Sequence, residues 1–201
     1  DNLAAKQNVK KLNEEINTAE PPKTKRIRRK SPPKKTLNLL LTYFETGYLD
    51  NAEKLARSIT REFPEHPFGW KVLGVIFKKR NKNLEALEAS QTALNLTPQD
   101  PESHGNLGVV LKELGHLQDA EKSFRNAIAL KSDYAEPHNN LGVILLELGR
   151  LEESKVSLRS AITLKENYAE AHNNLGITLH ELDQLEEAEL NFKQSIKVRQ
   201  D

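Results

Sequence analysis

The chain has 201 residues, 37% of them hydrophobic and only 5% aromatic, which is enough apolar material for a core and a helical rather than sandwich-like profile. It has no cysteine, so a disulfide framework, a thiolate metal site and a cysteine nucleophile are all excluded, and the expected compartment is the reducing cytoplasm. The net charge of +1 conceals a basic arm on an acidic body: residues 1–35 carry 11 Lys or Arg against 4 Asp or Glu, whereas residues 36–201 carry 19 against 25.

The chain begins at Asp1 and contains no Met, so it reads as a processed or excised piece. Its first residues lack the apolar core of a signal peptide, and no apolar run is long enough to enter a membrane. Within residues 1–19, Leu3, Val9, Leu12 and Ile16 have roughly helical spacing and predict a weak amphipathic helix. Residues 20–35, EPPKTKRIRRKSPPKK, combine four prolines with eight Lys or Arg and no acid after Glu20, so this stretch is expected to be a basic linker. Any nucleic-acid binding by the arm would be weak and salt-sensitive, because no aromatic or amide side chain is interleaved to read bases. Nucleic acid is therefore an unfavoured partner. The bland reading is a linker lying against the acidic body.

From Pro33 onward the sequence repeats itself. AEPHNNLGVILLELG at residues 135–149 returns as AEAHNNLGITLHELD at 169–183, and the register extends to five blocks: 33–66, 67–100, 101–134, 135–168 and 169–201. Position 4 of each block holds Thr36, Trp70, His104, His138 and His172, and position 7 is always leucine, both on an apolar stripe. Position 8 is Leu40, then Gly74, Gly108, Gly142 and Gly176. Glycine inside a helix costs about 1 kcal/mol against alanine, so its recurrence implies the close approach of a second helix. Small residues at position 20 (Ala52, Ala86, Ala120, Ser154, Ala188) are the expected partners. Gly47, Asn81, Gly115, Gly149 and Asp183 fall between the two helices and suit a left-handed stop. Each block is thus expected to be a helical hairpin.

These residues carry a resemblance. Trp or His at 4, Leu at 7, Gly at 8, a large residue at 11, Gly at 15, Ala at 20, Phe or Leu at 24, Ala at 27 and Pro at 32 resemble the tetratricopeptide repeat, across residues 33–201. The first copy departs at Thr36 and Leu40, and position 24 is small at Ala56 and Ser90. The resemblance implies an all-α fold, a right-handed solenoid of stacked hairpins. One hairpin cannot bury its own apolar face, so the copies must stack on their neighbours. The last helix, with Leu190, Phe192, Ile196 and Val198, is expected to present an apolar edge open to a further helix or to self-association.

The resemblance also implies that the first helices line an inner groove through positions 2, 5, 6, 9, 12 and 13. Position 6 reads Asn38, Val72, Asn106, Asn140 and Asn174. A side-chain amide both donates and accepts, so a line of them can pair with the N–H and C=O groups of an extended peptide whatever its side chains. The line resembles the arrays attached to O-linked N-acetylglucosamine transferases, which hold a polypeptide in this way. The alternative is that these amides only solvate a helix face. Beside them stand Lys71, Asn139 and Asn173 at position 5, Lys78 and Lys112 at position 12, and Glu113, Glu147 and Glu181 at position 13. The expected partner is a protein or peptide, drawn by an acidic wall over the last three repeats.

His104, His138 and His172 lie one repeat apart, and helix pairs stack near 10 Å, so they cannot share a metal ion and are expected to pack where Trp70 does. No cofactor and no catalytic constellation is indicated: there is no G-x-S-x-G, H-E-x-x-H or phosphate loop. The function expected is a peptide-binding scaffold. The alternative is a substrate-recruiting region of a larger enzyme, such as a glycosyltransferase, with its catalytic domain elsewhere.

Overall fold

The computed structural model describes residues 31–200, so the helix expected within residues 1–19 and the linker up to residue 30 lie outside the described residues. Among the described residues there are ten helices and no strand: α1 Lys34–Glu45, α2 Leu49–Glu62, α3 Pro67–Lys79, α4 Asn83–Leu96, α5 Pro101–Glu113, α6 Leu117–Leu130, α7 Ala135–Glu147, α8 Leu151–Leu164, α9 Ala169–Glu181 and α10 Leu185–Gln200. The end of the expected linker is helical, since Lys34 and Lys35 open α1 once Pro33, with φ −58°, has set the entry angle. The chain forms two compact units, α1–α4 up to Leu96 and α5–α10 from Thr97.

The hairpin turns are fixed locally. Gly47, Asn81, Gly115, Gly149 and Asp183 all have positive φ, between 57° and 79°. In each turn the N–H of the next residue reaches back five positions to a carbonyl: Tyr48 to Tyr43, Lys82 to Phe77, His116 to Leu111, Arg150 to Leu145 and Gln184 to Leu179, at 2.8–2.9 Å. This bond closes the C-terminal turn of every first helix and uses a carbonyl that the helix itself leaves open. At the other end, Pro67 and Pro101 occupy the first turn of α3 and α5, and the Asp100 carboxylate caps α5 by accepting from the Ser103 N–H at 2.9 Å.

Packing within a hairpin corrects one expectation. A Cβ placed on Gly108 would sit 2.7 Å from the Phe124 ring, on Gly142 2.5 Å from Leu158 Cγ, and on Gly176 2.6 Å from the Phe192 ring. The glycine therefore makes room for the large residue at position 24, and the small residue at position 20 is not its main partner. Position 20 meets it from the side: the Ser154 hydroxyl donates to the Gly142 carbonyl at 2.7 Å and pairs with the Thr178 hydroxyl at 3.0 Å. The first repeat exchanges the volumes, with Leu40 at position 8 and Ala56 at position 24, both fully buried. The second has Gly74 facing Ser90, whose buried hydroxyl has no partner among the described residues.

In the second unit α6 packs against α7 and α8 against α9, so each second helix serves both its own hairpin and the next. One core gathers Ala120, Phe124, Leu141, Ile144 and Leu145, and the next gathers Leu158, Leu175, Leu179 and Ala188. In the first unit α2 packs in the same way against α3.

Candidate functional site

Position 4 does more than pack. The Trp70 indole N–H donates to the Pro64 carbonyl at 2.9 Å, and the Nε2 atoms of His104, His138 and His172 stand 3.0–3.1 Å from the carbonyls of Pro98, Ser132 and Glu166. A carbonyl only accepts, so each imidazole carries a proton on Nε2 and acts as the indole does. This explains why tryptophan and histidine interchange here. The ring pins its helix to the loop entering the repeat, and the histidines are placed one per repeat.

The first helices of successive repeats in the second unit touch, α5 with α7 and α7 with α9, while the second helices make no comparable contact among the described residues. The first-helix side is therefore the inner one. Asn106, Asn140 and Asn174 lie half-exposed on these three touching helices. Asn106 and Asn140 make no side-chain hydrogen bond among the described residues. The Asn174 side-chain amide donates to Asn139 Oδ1 at 3.0 Å, and Asn139 Nδ2 in turn donates to the Glu170 carboxylate at 3.3 Å.

Asn139 departs from its expected place in the groove. It is only 1% exposed, and its amide is bonded to Asn174 and Glu170. It is a strut under the ladder, and a buried amide is kept only where it is bonded. Burial pushes the Tyr168 hydroxyl above its ordinary pKa, and the Glu170 and Glu136 carboxylates push it in the same direction. Lys165 stands 4.6 Å over the Tyr168 ring, and Lys131 stands 5.3 Å over the Tyr134 ring of the preceding repeat.

The other candidates divide between the units. In the first, Asn38 is exposed on α1, Lys71 and Lys78 are half-buried on α3, and Val72 is 6% exposed, inside the core. In the second, Asn173 and Lys112 are half-buried, and Glu113, Glu147 and Glu181 are exposed near the ends of α5, α7 and α9.

Two features escaped the sequence. On the second-helix side of the second unit a cavity of about 520 Å³ is lined by Ile128, His138, Val156, Arg159 and Leu164. In the first unit one of about 350 Å³ is floored by Trp70, Leu73 and Phe77. The available signal was position 22, where Lys54, Glu88 and Lys122 give way to Val156 and Leu190, which are 64% and 65% exposed. The second feature is a ring of charge across repeats: Arg150 donates to Glu121 at 2.8 Å and Glu153 at 2.7 Å, and Arg125 donates to the same two carboxylates at 2.9 and 3.3 Å. Burial would raise the Glu121 pKa, but hydrogen bonds from Arg125 and Arg150 outweigh it and hold the carboxyl below its usual range.

Repeated hairpins, left-handed stops and glycine-under-ring packing define a helical-repeat scaffold. Models of the tetratricopeptide repeat match residues 133–201, and residues 74–115 and 110–149. The chain is accordingly a tetratricopeptide-repeat protein with the α-solenoid fold of a protein-binding scaffold. No curated protein matches it in sequence. Among solved structures it is similar to MamA, at 20% identity over 79% of this chain and 92% of that one, with a TM-score of 0.69. It is also similar to YrrB, described as a TPR protein with an unusual peptide-binding site, at 18% identity over 85% and 88% of the two chains and a TM-score of 0.66. A third is pilF of Pseudomonas aeruginosa, at 18% identity, 81% and 74% coverage and a TM-score of 0.74. No helix among the described residues is long and apolar enough to cross a membrane.

Proposed function

We propose that the second unit binds an extended peptide along its first-helix side, with Asn106, Asn140 and Asn174 gripping the ligand backbone. The observation that carries this is one amide at the same position of the touching first helices of three consecutive repeats, two of the three without a side-chain hydrogen bond among the described residues. The remaining N–H and the carbonyl of Asn174 are aimed by the buried Asn139 strut. The peptide-binding site in the description of YrrB and the amide line of the glycosyltransferase-attached arrays support the same reading. The exposed Glu113, Glu147 and Glu181 favour a ligand with basic residues, more through rate and orientation than through affinity.

Each amide pair with a peptide group contributes about 1 kcal/mol net, so changing all three asparagines to alanine should weaken binding roughly 100-fold. Fluorescence anisotropy against a library of extended basic peptides measures this. Unchanged affinity in a variant with native circular dichroism overturns the proposal.

We further infer self-association through α10, where Leu185, Leu190 and Ile196 are 53%, 65% and 57% exposed. Sedimentation of the chain as a monomer at all concentrations would remove that reading.

A further inference from the structure

The free side of α10 is built to receive a helix. In the second unit, Leu117 and Ile128 of α6 pack partly buried against the core that includes α7, and Ile162 of α8 packs in the same way against α9. The counterparts of Leu117 and Ile128 in α10 are Leu185 and Ile196, which meet nothing comparable among the described residues. At about 100° per residue the two leucine and isoleucine side chains fall within about 20° of each other, forming one apolar line along the helix.

Charge along the same side is polarised. Glu186 and Glu189 lie to one side of the apolar line in the first half of α10, and Lys193 and Lys197 lie on the same side in the second half, all four exposed, with Glu189 and Lys193 also paired within the helix at 2.5 Å. Two copies of this helix laid parallel would set acid against acid and base against base. Laid antiparallel, each acidic half lies along the partner's basic half, and the same surface serves both copies, as a two-fold axis requires.

Head-to-tail stacking is a poorer fit. A first helix meets the preceding second helix through positions such as 3 and 10, held by Pro137 and Ile144 in α7 and by Ala171 and Thr178 in α9, all buried. In α1 the same positions are Lys35, exposed, and Thr42, whose hydroxyl already donates to the Asn38 carbonyl at 2.9 Å. Among the described residues, α1 therefore offers polar side chains where α10 offers apolar ones.

We infer that the chain forms a two-fold dimer through antiparallel α10 helices, with Leu185 of each copy against Ile196 of the other and Glu–Lys pairs across the seam. This rests on the self-association reading above and specifies its geometry.

The test is a charge-exchange experiment by sedimentation equilibrium on the 201-residue chain. One variant carries Glu186→Lys and Glu189→Lys, and the other carries Lys193→Glu and Lys197→Glu. Each alone should dimerise at least about tenfold more weakly than the parent, because every cross-seam pair becomes like-charged at both ends. An equimolar mixture should recover dimers, now mixed, since the altered halves of the two variants then face each other with opposite signs and their unaltered halves keep the original Glu–Lys pairing. Circular dichroism establishes that each variant is folded. A monomeric parent overturns both this geometry and self-association itself. Parent dimers that neither variant weakens, or weakened variants whose mixture stays monomeric, overturn the antiparallel seam and leave self-association to another surface.

Discussion

Gly142→Ala tests the packing rule of the repeat most directly. In an ordinary helix the change would raise stability by about 1 kcal/mol through propensity. Here the new methyl would lie 2.5 Å from Leu158 Cγ, 2.8 Å from Cδ2 and 3.2 Å from Cδ1. Leu158 is fully buried, and its Cγ is a branch point rather than a flexible tip, so rotation cannot clear it. Overpacking of this kind costs about 1–3 kcal/mol, and the severity of the contact places it near the upper end, for a net loss of about 2 kcal/mol. Gly74→Ala meets mainly a single movable atom, Ser90 Oγ at 2.6 Å, and should cost less. Leu158→Ala alone should cost about 2–5 kcal/mol, but in the Gly142→Ala background distinctly less, because the methyl then occupies vacated space. Urea titration of the four variants, followed by circular dichroism, yields the coupling. A more stable Gly142→Ala, or additive losses in the double variant, would refute the assignment of position 8 as the seat of the position 24 side chain.

Glu121 offers a pH test. Its folded pKa is depressed, so its contribution is fully present above its unfolded value near about 4.3 and is lost as pH falls through the folded value. With its side chain 14% exposed between two arginines, Glu121→Gln should cost about 1 kcal/mol at neutral pH. The gap between the two proteins in urea should close as the solution is acidified, and a gap independent of pH would count against the arginine ring as its source. Gly115, at φ 76° with nothing within 4 Å of a Cβ, should lose about 1–2 kcal/mol on change to alanine through backbone strain alone. Asp183→Gly, at φ 59°, should change thermal stability in the opposite direction. Equal behaviour of the two sites would show that the stops are not held by backbone conformation.

The hairpins were legible because their determinants are local. A left-handed stop needs a residue that tolerates positive φ, and Gly47, Asn81, Gly115, Gly149 and Asp183 announce themselves wherever they stand. A repeat also states its own register, so the helix bounds, the apolar stripe and the stacking of hairpins could be read from the spacing of leucine, glycine and alanine. The groove was harder to read. Asn139 and Asn140 are adjacent and chemically identical, yet one is buried and bonded on both sides while its neighbour is half-exposed. Rotation of 100° about a helix decides which of them faces the next repeat, and the sequence alone does not say where that boundary falls. In the same way, the bonding of the position 4 rings, the side chain over each glycine and the Arg150 ring join residues from separate helices. Their partners are chosen by how the hairpins pack, because hydrogen bonds and excluded volume act over a few ångströms that only the folded chain defines.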